Sequence, residues 1–353
     1  MKLKDARIIG FMAPTSGVHY HRIMLPISGL ALENSLVTNS LEEIRNRIQA
    51  GQCDILIYNR YLPGMDVAEL VALRDQYKFK IVVDNDDYWE LDPHHILHYH
   101  YTRGITKQIT DNLKIADLVT VTHFRLAKKA RQYNEKVFVI PNALPFDQYQ
   151  FTPERAENKT GRVRIGWAGG VTHEKDLEIL RGPIKRLHSI RNLADQVEMR
   201  IFGYNEATPE TKEIWGRMTS AFTNGGKMQY LAFPPLDVNS YMATYEEMDL
   251  ALVPLLDTSF NGYKSNLKIL EAGAKRLPVI CSQVLPYYEG HNIPGVSWVS
   301  SQRDWVYHIS KYVQDPHARE RDGMALGAWV RQNFNLAKWS TVRGKLFKTI
   351  LNQ

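Results

Sequence analysis

Phe260-Asn261-Gly262-Tyr263-Lys264-Ser265-Asn266-Leu267-Lys268-Ile269-Leu270-Glu271-Ala272-Gly273-Ala274 follows a continuous apolar run, Asp249-Leu250-Ala251-Leu252-Val253-Pro254-Leu255, and a short polar loop. Its second half, Leu267 to Ala274, is apolar at helical spacing and stops before Pro278. A strand, a loop and a helix in that order aim free backbone N–H groups at whatever lies beyond the loop, and those groups favour an anion. Lys264 stands at the helix mouth, where an ammonium neutralises phosphate as a point charge. Ser265 and Asn266 open the helix and add backbone donors. Glu271 lies about two turns further in and is placed to accept hydrogen bonds from paired ribose hydroxyls. Diphosphate and ribose together describe a nucleotide.

Outward from this stretch, strands alternate with helical patterns in both directions. Arg7–Met12, Asp54–Tyr58, Lys80–Val83, Asp117–Thr122 and Lys136–Ile140 read as strands, with helices over Leu41–Ala50 and Met65–Tyr77 and one beginning near Tyr20. Residues 147–161 are polar, contain Pro153, Asn158 and Gly161, and read as a linker. The pattern then restarts: strands Arg162–Ala168, Glu198–Phe202, Met228–Leu231, Asp249–Val253 and Pro278–Cys281, with a helix over Lys175–Ile190. Such alternation implies parallel sheets with crossover connections. The expectation is an α/β protein of two tandem doubly wound, Rossmann-like domains, 1–146 and 162–335, with a ligand cleft between the carboxyl ends of their strands. A last helix, about Leu336–Ile350 within residues 336–353, is expected to pack back on the first domain.

Bulk properties bound the function classes. At 353 residues, 44% hydrophobic and 23% charged, the chain is a globular protein of two ordinary domains and not a disordered one. The formal net charge of +6 is compatible with nucleic acid, acidic lipid or nucleotide as a partner, and equally with a basic protein that has none. Cys53 and Cys281 form neither a metal-ligand spacing nor a disulfide framework, which points to a reducing, cytoplasmic compartment. The sequence opens without a signal-peptide pattern, and no apolar run approaches the ~18–20 residues of a bilayer span.

Several constellations carry chemistry. Gly169-Gly170 after the Arg162–Ala168 strand let backbone approach a ligand closely, and Thr172 is placed to cap a helix whose mouth His173 and Lys175 flank. Gly17-Val18-His19-Tyr20-His21-Arg22 occupies the first strand-to-helix turn, where Arg22 is suited to phosphate and His19 and His21 to an acceptor. Asp84-Asn85-Asp86-Asp87 ends a strand in a D-x-D arrangement like the metal motif of GT-A enzymes, but a GT-A enzyme would not need a second nucleotide domain; the better reading is cleft-facing acids near an acceptor, Asp84 foremost and Asp86 with it, or a helix N-cap run before Tyr88-Trp89. His123 follows a strand, where doubly wound folds present side chains to ligand. His94 and His98 share a helix face but lack acidic or cysteine company, so no metal site is expected. Phe124-Arg125-Leu126-Ala127-Lys128-Lys129-Ala130-Arg131 is a basic helix start, either a solvated face or a track for phosphates.

In order and spacing, the Tyr20-His21-Arg22 turn, Asp84 to Trp89, Pro141-Asn142, Gly166-Trp167-Ala168-Gly169-Gly170 and the Lys264-to-Glu271 helix resemble GT-B glycosyltransferases. The large retaining family-four group and its phage and bacterial relatives are the nearest in pattern, over nearly the whole chain. Of that group's paired glutamates only Glu271 is matched, the first falling on Tyr263. The arginine of its phosphate turn falls on Gly170, while its lysine is matched by Lys175. The resemblance implies a nucleotide-diphosphate sugar, a UDP-sugar foremost, held by Gly17, Gly169, Gly170, His173, Lys175, Lys264, Ser265, Asn266 and Glu271. It implies retention of configuration and no metal or other cofactor, with Lys264 supplying charge to the leaving diphosphate; Asp84 or His123 would be the base if the reaction inverts. His19, His21, Arg22 and Asp86 would face the acceptor. The acceptor expected is a hydroxymethylated pyrimidine in DNA, the alternative a bacterial surface polysaccharide or lipid-linked glycan.

Overall fold

The computed structural model describes residues 2–93, 95–190, 192–223, 228–285, 287–288 and 292–353, with side chains omitted at 221 and 223. The chain divides into two compact units, the first of residues Met1–Pro145, Gly262–Ser265 and Phe334–Gln353, the second of Phe146–Asn261 and Asn266–Asn333.

The first unit holds a six-stranded parallel sheet: β1 Ile8–Phe11, β2 Ser35–Thr38, β3 Ile55–Asn59, β4 Lys80–Asn85, β5 Leu118–Val121 and β6 Val137–Val139, in the order β2-β1-β3-β4-β5-β6. Its principal helices are α1 Leu41–Gln49, α2 Val67–Tyr77, α3 Thr106–Ile115 and α4 Phe124–Ala130. Ser40 and Asp66 cap α1 and α2 by accepting from the Glu43 and Glu69 N–H groups, satisfying donors that a helix start leaves unpaired. The central strands β1, β3 and β4 are buried on both faces, as continuous runs such as Ile55-Leu56-Ile57-Tyr58 require in a covered parallel sheet.

The second sheet comprises β7 Val163–Ala168, β8 Val197–Phe202, β9 Gln229–Phe233, β10 Leu250–Val253, β11 Val279–Ser282 and β12 Val296–Val299, in the order β12-β11-β10-β7-β8-β9. Flanking it are α5 Arg181–Ser189, α6 Pro209–Thr223, α7 Leu267–Ala274, α8 Gln302–Gln314 and α9 Pro316–Asn333. The core joins Ile165 and Trp167 of β7 to Leu187, Trp215, Leu252, Ile280 and Trp305. The helix expected over Lys175–Ile190 is two pieces, Glu174–Glu178 and α5, because Pro183 has no N–H for the carbonyl one turn earlier and its ring crowds that carbonyl. The last helix, α10 Leu336–Leu351, belongs to the first unit, where Phe347 and Ile350 join Ala6, Ile8, Ile23 and Ile55 in one apolar cluster. Backbone bonds Leu144 N–H to Phe334 O and Leu336 N–H to Leu144 O fix the entry of this helix. Among the described residues no helix is long and apolar enough to cross a membrane.

Candidate functional site

In the second unit the strand order reverses between β7 and β10, and a doubly wound sheet takes its ligand outside the carboxyl ends at such a reversal. β7 ends at Ala168, and Gly169-Gly170 lead into the 3-10 turn Val171–His173. A Cβ on Gly169 would stand 2.6 Å from the Trp167 indole. Gly203, after β8, has φ +96° and lies so close that a Cβ there would strike the Gly169 carbonyl. Gly203 is therefore required for this approach of backbone to backbone, whereas a side chain at Gly169 would have to displace the Trp167 ring. His173 Nδ1 meets Asp176 Oδ2 at 2.7 Å, and Asp176 Oδ1 accepts from the Leu256 N–H at 2.9 Å and Asn261 Nδ2 at 3.0 Å. One buried carboxylate thus ties the loop after β7 to the loop after β10. It also fixes the imidazole ring and favours its Nδ1–H tautomer.

α7 begins beside this junction. No side chain caps its N-terminus, its first turn contains no acid, and Lys268 in that turn donates from Nζ to the Ala168 carbonyl, 5.4 Å from the Trp167 ring centroid. A cation in the first turn adds its charge to the positive end of the helix dipole. One turn further on, the buried Glu271 carboxylate accepts from Tyr241 Oη at 2.8 Å and Tyr245 Oη at 2.7 Å. Burial raises the Glu271 pKa, against the two phenols and Lys268. Cations, helix N-terminus and an inward carboxylate suit a diphosphate followed by a diol.

The first unit concentrates charge at the ends of β3 and β4. Asp84 is fully buried: Arg22 Nε and Nη2 each donate to it at 2.8 Å, Thr120 Oγ1 at 2.5 Å and Asn59 Nδ2 at 3.3 Å. Arg22 Nη1 reaches Asn142 Oδ1 at 3.1 Å, and Asn142 Nδ2 donates to Ser265 Oγ at 2.9 Å. Beyond the strand end, half-buried Asp86 accepts from Asn59 and from Arg60, which also donates to Tyr101 Oη at 2.9 Å. Against burial, the largest influence, Arg60 and Asn59 hold Asp86 below the usual carboxylate range, whereas burial pushes Asp87 up despite Lys264 and Arg60. Both carboxylates remain partly accessible and can accept hydrogen bonds from hydroxyl groups. His19 joins them: its Nδ1 accepts the Ala13 N–H at 2.7 Å, and burial lowers its pKa while Asp86 opposes.

Some expected site residues take other roles. Asp84 cannot act as a cleft-facing base, since its four acceptor positions are filled from inside the sheet. Arg22 is its partner, 1% exposed, and does not face phosphate. His21 is buried, and desolvation pushes its pKa down to about 3, so it is a neutral packing group and not an acceptor contact. His123 caps α4: Nδ1 accepts the Leu126 N–H at 3.4 Å, Nε2 bonds the Tyr263 carbonyl at 2.7 Å, and burial takes its pKa to about 4. With one nitrogen accepting and the other donating, it has no lone pair for proton abstraction. Thr172 caps no helix, being inside the 3-10 turn. Lys264 and Ser265 lie in the first unit, Lys264 within electrostatic reach of Asp87. Lys175 is exposed and lines a charged depression with Glu174, Glu178 and Arg217.

Gly17 is exposed, just after Ser16, whose hydroxyl accepts the His19 N–H. Gly170 faces open space, and Asn266 holds the N-cap position of α7. His98 Nδ1 engages the Leu91 carbonyl, and His94 lies outside the described residues. The residues that sequence reasoning passed over are Lys268, Asp176, Asp87 and the phenols of Tyr241 and Tyr245. None of them stood out in the sequence, Lys268 included, because a lysine in a helix reads as a surface residue. The first unit also stacks Tyr88 on Tyr263 (ring centroids 4.3 Å apart), with Lys129 over one ring and Arg125 over the other at 5.4 and 5.3 Å.

No protein-family model matches the chain, and no curated protein sequence matches it. Solved structures do. Anabaena Alr3699/HepE, in complex with UDP and glucose, matches with TM-score 0.70 at 12% identity over 98% of this chain and 100% of that one. Sucrose-phosphate synthase (tll1590) from Thermosynechococcus elongatus matches with TM-score 0.71 at 14% identity over 98% and 99%. A glycosyltransferase from Rickettsia africae ESF-5 matches with TM-score 0.66 at 14% identity over 99% and 100%. These likenesses show the fold: two doubly wound α/β domains of the GT-B type.

Proposed function

We propose that the protein is a glycosyltransferase that moves a sugar from a UDP-sugar to an acceptor hydroxyl. The observation that carries this reading is the convergence of Lys268, the uncapped start of α7, the Asp176-held His173 and the buried Glu271 at the strand reversal of the second unit. Glu271 takes the ribose hydroxyls, and Lys268 with the helix N–H groups takes the diphosphate. Negative charge grows on the departing diphosphate in the transition state, so cations fixed beforehand stabilise that state more than the ground state. Asp176 acts as a positioning residue for His173. The fold, shared with structures that hold UDP or UDP-glucose, supports the donor class.

Retention of configuration and independence of metal belong to the same proposal. With Asp84 and His123 committed to structural bonds, the leaving diphosphate is the group proposed to take the acceptor proton. Transfer is expected to persist in EDTA; absolute dependence on Mn²⁺ or Mg²⁺ would sink the donor-site assignment.

For the acceptor, the net charge of +6 and the Arg125, Lys129, Tyr88 and Tyr263 cluster support a polyanion whose bases stack, such as hydroxymethylated pyrimidine in DNA. The partly accessible Asp86 and Asp87 favour a second reading, a neutral glycan, because carboxylates accept from sugar hydroxyls and repel phosphates. Incubation with radiolabelled UDP-sugars and hydroxymethylated duplex, unmodified duplex or lipid-linked glycan decides between them. Label on the hydroxymethylated duplex alone supports the first reading, and label on the glycan alone ends it.

A further inference from the structure

No Asp or Glu follows Asp322 in the chain, whereas Arg331, Lys338, Arg343, Lys345 and Lys348 do, so the stretch that ends in α10 holds most of the formal net charge of +6. Arg343 is buried and Arg331 pairs with Asp147, but Lys345 and Lys348 are exposed. They stand three residues apart on one helix face, where like charges repel. Neither ammonium has a hydrogen bond or ion pair among the described residues.

The two lysines border a groove of about 490 Å³ between α10 and the segments of Leu3 and Gly29-Leu30, all within the first unit. Its wall is apolar. Leu3 and Leu30 pack on the margin of the cluster that holds Phe347 and Ile350. Gly344 puts no side chain between them: a Cβ there would stand 3.0 Å from Leu3 Cδ2 and 3.5 Å from Leu30 Cδ2. From Lys348 back to Ala337 the groove follows α10 for about 16 Å. Leu3 precedes β1 and Leu30 precedes β2, so the groove lies towards the amino ends of the strands, away from the charged cluster after β3 and β4.

We infer that this groove binds a single-chain carboxylate amphiphile, its chain along Leu3, Leu30 and Gly344 and its carboxylate on Lys345 and Lys348. The volume is that of a small-molecule site, apolar along its length and cationic at one end. Burying the chain takes apolar surface out of water on both sides, and the anion relieves two ammonium groups that otherwise repel. A bilayer surface fits less well, since α10 exposes no large apolar side chain that could enter it.

Dodecanoate below its critical micelle concentration serves as the probe, titrated into the full-length protein in a calorimeter. One molecule per chain should bind, and in methyl-labelled protein the Leu3 and Leu30 resonances should shift. Lys345→Glu/Lys348→Glu should weaken binding about 10-fold or more, and so should Thr341→Trp, which fills the groove from an exposed position. Acetate, a head without a chain, and dodecyltrimethylammonium, a chain with the opposite charge, should each bind at least about 10-fold more weakly. Should either variant not fold, the wild-type resonance shifts and the two comparison ligands carry the test. No saturable binding, shifts confined to other residues, equal affinity in folded variants, or binding to phosphatidylglycerol vesicles with none to dodecanoate would overturn the site.

Discussion

The two sheets end in charged clusters built on opposite plans. At the end of β4 in the first unit, Asp84 and Arg22 neutralise each other inside the fold, with every acceptor position of the acid filled. At the reversal between β7 and β10, Asp176 is also buried, but it spends itself on backbone, amide and imidazole, while the neighbouring cation Lys268 donates to a backbone carbonyl and lies over the Trp167 ring. The first arrangement holds structure together; the second keeps positive charge in place for something else. An acid at the end of an apolar strand is therefore no guide to chemistry until its partner is known.

The contrast can be broken in five ways. Arg22→Met takes the ion-pair partner from buried Asp84, and should cost about 3–5 kcal/mol in urea denaturation; a loss below 1 kcal/mol would show the pair is not structural. Glu271→Gln should instead leave the denaturation midpoint near wild type and weaken UDP binding in calorimetry by about 10–100-fold, the cost of hydrogen bonds to a charged group. Lys268→Met should weaken UDP roughly 10-fold and flatten the salt dependence of binding, with Lys268→Arg restoring part of it. Unchanged affinity in both variants would remove the donor site from α7.

The fourth concerns protons. His21 has a folded pKa near 3, below its unfolded value of about 6.5, so the unfolded chain binds the extra proton between those values. Stability should fall as pH drops from 6.5 towards 3, by about 1.4 kcal/mol per unit from this residue, and His21→Gln should remove that part of the slope. An unaltered slope would mean the histidine is wetter than its burial indicates. Smallest is Gly170→Ala, expected within about 0.5 kcal/mol of wild type because the position faces open space, whereas Gly203→Ala must move the Gly169 backbone.

Much of the architecture was legible because parallel strands covered on both faces are unbroken apolar runs. Ile55-Leu56-Ile57 and Leu250-Ala251-Leu252-Val253 announce themselves. The edge strands β2 and β12 do not, since Ser35–Thr38 is half-buried throughout and Val296–Val299 buries only its ends. Glu271 was readable as an inward carboxylate from its place on an apolar helix. Asp84 was misread because an acid after Ile81-Val82-Val83 looks the same whether it faces solvent or an arginine 62 residues away in sequence. Lys268 was hidden for the converse reason: a lysine in a helix reads as surface until the strand end opposite it is known.

The composition of the first unit from three separate stretches of chain has a consequence for biosynthesis. Its apolar cluster needs Phe347 and Ile350, and the helix bearing them leaves the ribosome only after the whole second unit. At about 5–20 residues per second, the amino-terminal sheet waits for all of residues 146–333 before it can close its core. The sheet translated before the second unit is thus completed after it, and a nascent chain stalled before Phe334 leaves Ile8, Ile23 and Ile55 without the packing of Phe347 and Ile350.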